Sequence, residues 1–287
     1  MRILTGKTTT LLITSLWLWG SPAALGSTLE PNSSASIPVW QEPEEEAEDE
    51  EAPPEDKREE IKELLSQLKG HIGKRGKEDK EAGDIIEQLM GEYPKSGPKD
   101  QESIAKGMGA CLKVKRKQDK EGNFDNALYG KAAFTLGTMG DIGAKELVKW
   151  VGHKQHRGNL GLQVVLIKSL GKTKSPLGVK TLTDLLGNKD HAIEAEAAKA
   201  LFHFDGLKLK ERKKVFNEVL KALMSAKNAK DADTTNQDTT AQARYGAVSA
   251  PMISTLEALS GHKEGTPEAW QSWWNKNKKD DWDKDKS

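Results

Sequence analysis

Residues 132–151 read AAFTLGTMGDIGAKELVKWV, and residues 165–186 read VLIKSLGKTKSPLGVKTLTDLL. Laid over one another, Leu136-Gly137 falls on Leu170-Gly171, 34 residues on. A third copy, AEAAKALFHFDG, runs from Ala195 to Gly206, with Leu201 placed 31 residues after Leu170. Each copy carries apolar residues at helical spacing, then a glycine-containing turn, then a second apolar-periodic segment. A period in the thirties with two helices per unit is the signature of stacked helical hairpins, since one pair cannot bury its apolar face alone.

Outward from the repeat, the same period continues. Leu162, Val165, Leu166 and Leu170 form one stripe; Val215, Phe216, Val219, Leu220, Leu223 and Met224 form a broader one. Asn126, Asn159 and Asp190 stand where first helices should begin and are good N-cap residues. Ser175-Pro176 pairs a cap with proline at the first helical position, and Asp141 is placed to cap the second helix of its unit. Ile61 to Leu68, Asp84 to Met90 and Gln101 to Leu112 give shorter amphipathic helices expected to close the N-terminal end of the array. The polar run Ala226 to Thr240 is expected as a loop, and residues 276–287 as a charged tail with Trp282 exposed. Strand alternation is weak throughout.

The residues Ala132-Ala133-Phe134-Thr135-Leu136-Gly137 and Ala197-Ala198-Lys199-Ala200-Leu201 resemble the first helix of short bacterial HEAT-like repeats. The middle copy keeps Leu170-Gly171 but carries Val165 and Leu166 where the alanines stand. Leu256-Glu-Ala-Leu-Ser-Gly-His followed by Thr266-Pro-Glu-Ala-Trp270-Gln-Ser-Trp273-Trp274 is similar to the closing W-x-x-W-W element of secreted bacterial HEAT-repeat proteins. The resemblance spans residues 100–260 most clearly. It implies an all-α fold, an α-solenoid of HEAT-like pairs over residues 61–275, with second helices lining the concave side. In this resemblance Trp270, Trp273 and Trp274 cover the apolar end of the last repeat.

The chain of 287 residues has 44 basic and 44 acidic side chains, but this neutrality hides a division. Residues 41–60 hold 12 acids and 2 bases, while residues 1–40 carry only Arg2, Lys7 and Glu30 as charges. Residues 61–287 are therefore basic by nine charges. Residues 1–26 have a positive start, a short apolar run from Leu11 to Trp19 and Ala24-Leu25-Gly26 as a cleavage-like end, the pattern of an export signal. That run is too short for a hydrocarbon core of about 30 Å, and no lipid-bearing cysteine follows it. Residues 27–60, rich in Pro, Ser and Glu, are expected to be a disordered acidic linker. An exported location, periplasmic or extracellular, follows from these readings, with no chromosomal DNA as partner.

Chemistry is sparse. One cysteine, Cys111, excludes a disulfide framework and multi-cysteine metal sites, and is expected as a small buried hydrophobe. Gly171-Lys172-Thr173 lacks the glycine a phosphate loop needs, because Leu166 stands there. Gly107 to Leu112 lacks the final glycine of a dinucleotide fingerprint. Some HEAT-repeat enzymes hold iron through His-Glu pairs and others act as lyases, but no His-Glu dipeptide occurs here. His153, His156, His191 and His203 show no regular ligand spacing. No metal, cofactor or catalytic residue is therefore assigned.

Surface charge is what remains. The expected second helices carry Lys145, Lys149, Lys180, Lys210, Arg212, Lys213, Lys214 and Lys221, a basic surface suited to an acidic protein partner. Lys113-Val-Lys-Arg-Lys117 is a further basic run. The resulting expectation is a binding scaffold, with residues 42–60 able to compete for the same basic surface within the chain. Two other classes stay open: an enzyme on the same array, and an envelope module binding anionic polysaccharide through lysines and tryptophans.

Overall fold

A computed structural model describes residues 55–232, 237 and 239–284. The expected signal segment and residues 27–54 of the expected linker lie outside the described residues. Among those described, all regular structure is helical, apart from one isolated bridge between Gln118 and Phe124.

The chain opens with α1 (Glu59–Gly73), α2 (Asp79–Glu92) and α3 (Pro98–Lys113). Three hairpin units follow. They are α4 (Ala127–Gly137) with α5 (Gly140–Trp150), α6 (Leu160–Lys172) with α7 (Val179–Asp184), and α8 (His191–Leu201) with α9 (Leu209–Ala232). The last elements are α10 (Thr239–Ser260) and α11 (Pro267–Asn277). Neighbouring helices pack throughout: α4 on α6, α6 on α8 and α8 on α10, with α3 on α5 and α7 on α9. One continuous apolar core runs from Ile61 to Trp270.

The repeated leucine–glycine pair explains the close spacing. Leu136, Leu170 and Leu201 are fully buried. A Cβ on Gly137 would lie 3.0 Å from the Ser169 carbonyl oxygen, and one on Gly171 would lie 2.8 Å from the Ala200 Cα. Each glycine lets the next first helix approach to backbone contact, which a side chain would prevent.

Caps follow the sequence in part. Asn159 accepts from Leu162 N, Asp190 from Ala192 N, Ser175 from Leu177 N and Thr266 from Ala269 N. Ser175 opens a short 3-10 turn, Pro176–Gly178, before α7. Two expected caps differ. Asp141 sits inside the first turn of α5, behind Met139 and a positive-φ Gly140, and adds a favourable charge at the helix start instead. Asn126 precedes α4 but spends its amide on Asn159.

Three boundaries also differ. The described residues of the expected loop Ala226 to Thr240 are nearly all helical, because α9 continues to Ala232 and α10 begins at Thr239. Ala226 is buried, and Lys227 bonds both Asp231 and Glu268, tying this end of α9 to α11. The last residues of the expected linker are structured. Asp56 accepts from Lys99 N at 2.8 Å, and Glu55 O accepts from Gly97 N at 3.0 Å, so they satisfy free donors at the start of α3. Finally, Trp282 is half-buried, packed 5.2 Å from the Phe216 ring, with its indole N–H donating to Asn277 O. The tail folds back because α9 offers Phe216 as an aromatic surface and Arg212 as a charge for Asp283.

Candidate binding face and a basic cleft

Four of the eight residues expected to bind a partner, Lys145, Lys149, Lys180 and Lys214, line two shallow grooves, and Lys210, Arg212, Lys213 and Lys221 line neither. Between α3 and α5 a cavity of 440 Å³ is floored by Ala105, Ile142 and Val148 and rimmed by Lys106, Lys145 and Lys149. Between α7 and α9 a cavity of 340 Å³ is floored by Val179, Leu207 and Val215 and rimmed by Lys180 and Lys214. The Pro176–Gly178 turn separates them, contributing Leu177 to the first and Pro176 to the second. Leu177 is 48% exposed on the turn between the two apolar floors.

The charge on this face is more balanced than the sequence suggests. Lys149 pairs with Glu146 at 2.6 Å, Lys180 with Asp184 at 2.7 Å and Lys221 with Glu218 at 2.8 Å. Glu102, Glu211 and Glu218 share the groove walls. Lys145, Lys210 and Lys214 are exposed and form no ion pair among the described residues. Arg212 is not a surface residue. It is 5% exposed, donates to Asp205 O and is paired with Asp283 at 2.6 Å, so it anchors the C-terminal tail. Lys213 likewise lies over the Trp282 ring and donates to Asp280 O. A helix turn that projects Lys210 and Lys214 outward must place Arg212 on the opposite side.

Of the four histidines singled out in the sequence, three are occupied locally, while His191 Nδ1 is buried 3.9 Å from Glu194 with no hydrogen-bond partner. His156 is buried between Tyr129 and Trp150, and its Nε2–H donates to Leu112 O at 2.7 Å. Burial lowers its pKa, with that hydrogen bond acting in the opposite direction. His153 Nδ1 accepts from Gln155 N, and His203 packs edge-on against Phe202. Among the described residues no group of three or more His, Cys, Asp or Glu side chains is arranged to hold a metal ion. Cys111 is buried with its S–H facing Gly107 O, and burial pushes its thiol up to about 12, which suppresses thiolate chemistry. Trp270 is fully buried against Phe216, while Trp273 stacks on His262 at 4.9 Å.

Two features escaped the sequence reading. The first is a buried ion pair: Glu194 on α8, fully shielded from solvent, accepts from Arg244 on α10 at 3.0 and 2.7 Å. Fifty residues separate the partners, and nothing local marks them. The second is a cleft of 1140 Å³ at the C-terminal ends of α1 and α3. Arg75 and Lys77 form one wall, and Lys115, Arg116 and Lys117 the other. Arg116 reaches Asp79 at 2.6 Å. The 113–117 run was visible in the sequence, but its opposition to residues 75–77 arises only when α1 and α3 pack together.

No described helix is long and apolar enough to cross a membrane. Comparison with protein-family models, with curated proteins and with solved structures gives no match. The class is thus set by the chain's own geometry: an all-helical protein of packed neighbouring helices.

Proposed function

We propose that this chain is an exported HEAT-like α-solenoid that acts as a non-catalytic scaffold, binding an acidic protein partner on the face built by its second helices. One observation carries the reading: two adjoining grooves with apolar floors and lysine rims, set either side of the exposed Leu177. Apolar floors supply affinity through burial, and rim lysines steer an acidic partner and fix its register. The order of packing supports the solenoid form, because first helices meet first helices along α4, α6, α8 and α10. Residues 1–26 act as the export signal in this reading, and the acidic stretch that follows tethers the helical body and competes for its basic surface.

The test is capture of a partner by the purified chain and by two paired variants, Lys145→Glu with Lys149→Glu, and Lys180→Glu with Lys214→Glu. Charge reversal on the rims should abolish capture while circular dichroism stays unchanged. Capture that survives both pairs contradicts this face as the binding surface.

A further inference from the structure

We propose that the cleft between residues 73–79 and 114–117 seats an extended acidic segment of the protein partner. This deepens the reading above, on which it rests, by stating where the partner's carboxylates go. Arg75, Lys77, Lys115 and Lys117 are exposed on the cleft walls, and none forms an ion pair among the described residues. The acidic lining is Asp79 and Asp125 alone, and Asp79 is already held by Arg116. Four uncompensated cations thus face one available carboxylate, a stronger imbalance than on the second-helix face, where Lys149, Lys180 and Lys221 have partners of their own.

Arg116 adds a second observation. Its side chain is only 5% exposed, yet Nη1 has no hydrogen-bond partner, and it stands on the wall shared by this cleft and a smaller cavity of 290 Å³. That nitrogen is closed off from solvent beside Gly76, so Arg116 holds Asp79 and shapes the wall, and the ligand's carboxylates meet the four exposed cations.

The shape of the wall selects an extended chain over a point anion. Exposure alternates along residues 114–117: Val114 and Arg116 face inward, while Lys115 and Lys117 face outward. That is the period of an extended segment, in which side chains on one side repeat about every 6.8 Å. Carboxylates at alternate positions of an extended peptide have the same spacing. The cations also lie on two opposed walls and do not converge on one point. In the smaller cavity, four polar side chains besides the basic run are already satisfied within the fold: His156 by Leu112 O, Gln155 by Lys113 O, Asn159 by Asn126 and Tyr129 by Val114 O. Recognition therefore comes from a row of charges.

The experiment uses the whole chain and a fluorescein-labelled peptide of alternating glutamate and serine, followed by anisotropy at low salt. The expected result is binding that Lys115→Ser with Lys117→Ser weakens about tenfold, that Lys115→Arg with Lys117→Arg retains, and that Lys168→Ser with Lys172→Ser on α6 leaves unaltered. Binding that Lys115→Ser with Lys117→Ser leaves intact and that Lys145→Ser with Lys149→Ser removes overturns the cleft as the site and leaves the scaffold reading standing. Absence of any binding by the unaltered chain also overturns the cleft, while capture of a partner through the second-helix face still tests the scaffold reading separately. Tighter peptide binding when Glu44, Glu45 and Glu46 are changed to Gln is the result expected of a competing acidic stretch, whereas peptide bound only after that change makes the chain's own acidic stretch the occupant and overturns the partner form of the proposal.

Discussion

Asn126 and Asn159, 33 residues apart, exchange two side-chain hydrogen bonds of 3.0 and 2.6 Å, so the starts of α4 and α6 are tied amide to amide. Asn159 also caps α6 through Leu162 N. The pair fixes the register of one unit against the next with groups that have no charge to screen. Removing either amide leaves the other short of a partner, at a cost of about 1–3 kcal/mol. Removing both avoids the orphan. Urea unfolding of Asn126→Ala, Asn159→Ala and the double variant should give a double cost smaller than the sum by about 1 kcal/mol. Strict additivity would contradict a direct pair.

The glycine pattern makes a sharper contrast. Gly171→Ala drives a Cβ to 2.8 Å from Ala200, and the expected destabilisation is about 1–3 kcal/mol from forced separation of α6 and α8. Gly130→Ala sits inside α4 with open space around the new methyl, and should gain about 0.5–1 kcal/mol from helix propensity. Thermal unfolding of both variants checks the pair of signs.

The leucine–glycine repeat was legible in the sequence as a marker of the period, but the close approach its glycines allow was not, because Ser169 and Ala200 face them from the next unit. The helices were legible because Val215 to Met224 and Leu162 to Leu170 are stripes of one period, and burial follows the stripe. What could not be read was any contact whose partners lie far apart. Arg212 looks like the lysines beside it, and only the returning Asp283 makes it an anchor. Trp282 sits among charges in the sequence, and its environment is set by Phe216, 66 residues earlier. The neutralisation of the lysine rim is of the other kind: Glu146 and Asp184 stand three and four residues from Lys149 and Lys180 on one helix face, a spacing present in the sequence that the charge reading passed over.

Glu194 and Arg244 offer a test of the α8–α10 contact. Arg244→Ala leaves a carboxylate with no solvent exposure unpaired, and should cost about 3–5 kcal/mol. Glu194→Leu with Arg244→Met replaces the whole pair by apolar groups and should recover most of that loss. Chemical denaturation of the two variants distinguishes a desolvated pair from a surface one, for which both would be nearly silent.

Acid sensitivity near neutral pH should involve His156. Its folded pKa is lowered by burial, so the unfolded chain binds its proton more readily. The neutral ring's contribution is fully present above about 6.5, the unfolded value, and is lost as pH falls below it. The urea midpoint should therefore drop between about pH 7.5 and pH 5.5, and drop less in His156→Gln, which keeps a donor for Leu112 O. An unchanged slope in the variant would place the acid sensitivity elsewhere.

The binding face itself is tested most directly by site-specific photo-crosslinking in living cells, with a benzophenone side chain placed at Leu177 in one chain and at Phe134 in another. Both positions are exposed, at 48% and 43%, but Leu177 lies between the two grooves and Phe134 lies on α4. A discrete protein adduct from position 177 and none from position 134 is the expected result. Adducts from position 134 alone, or none from position 177, would contradict a scaffold that binds through its second helices.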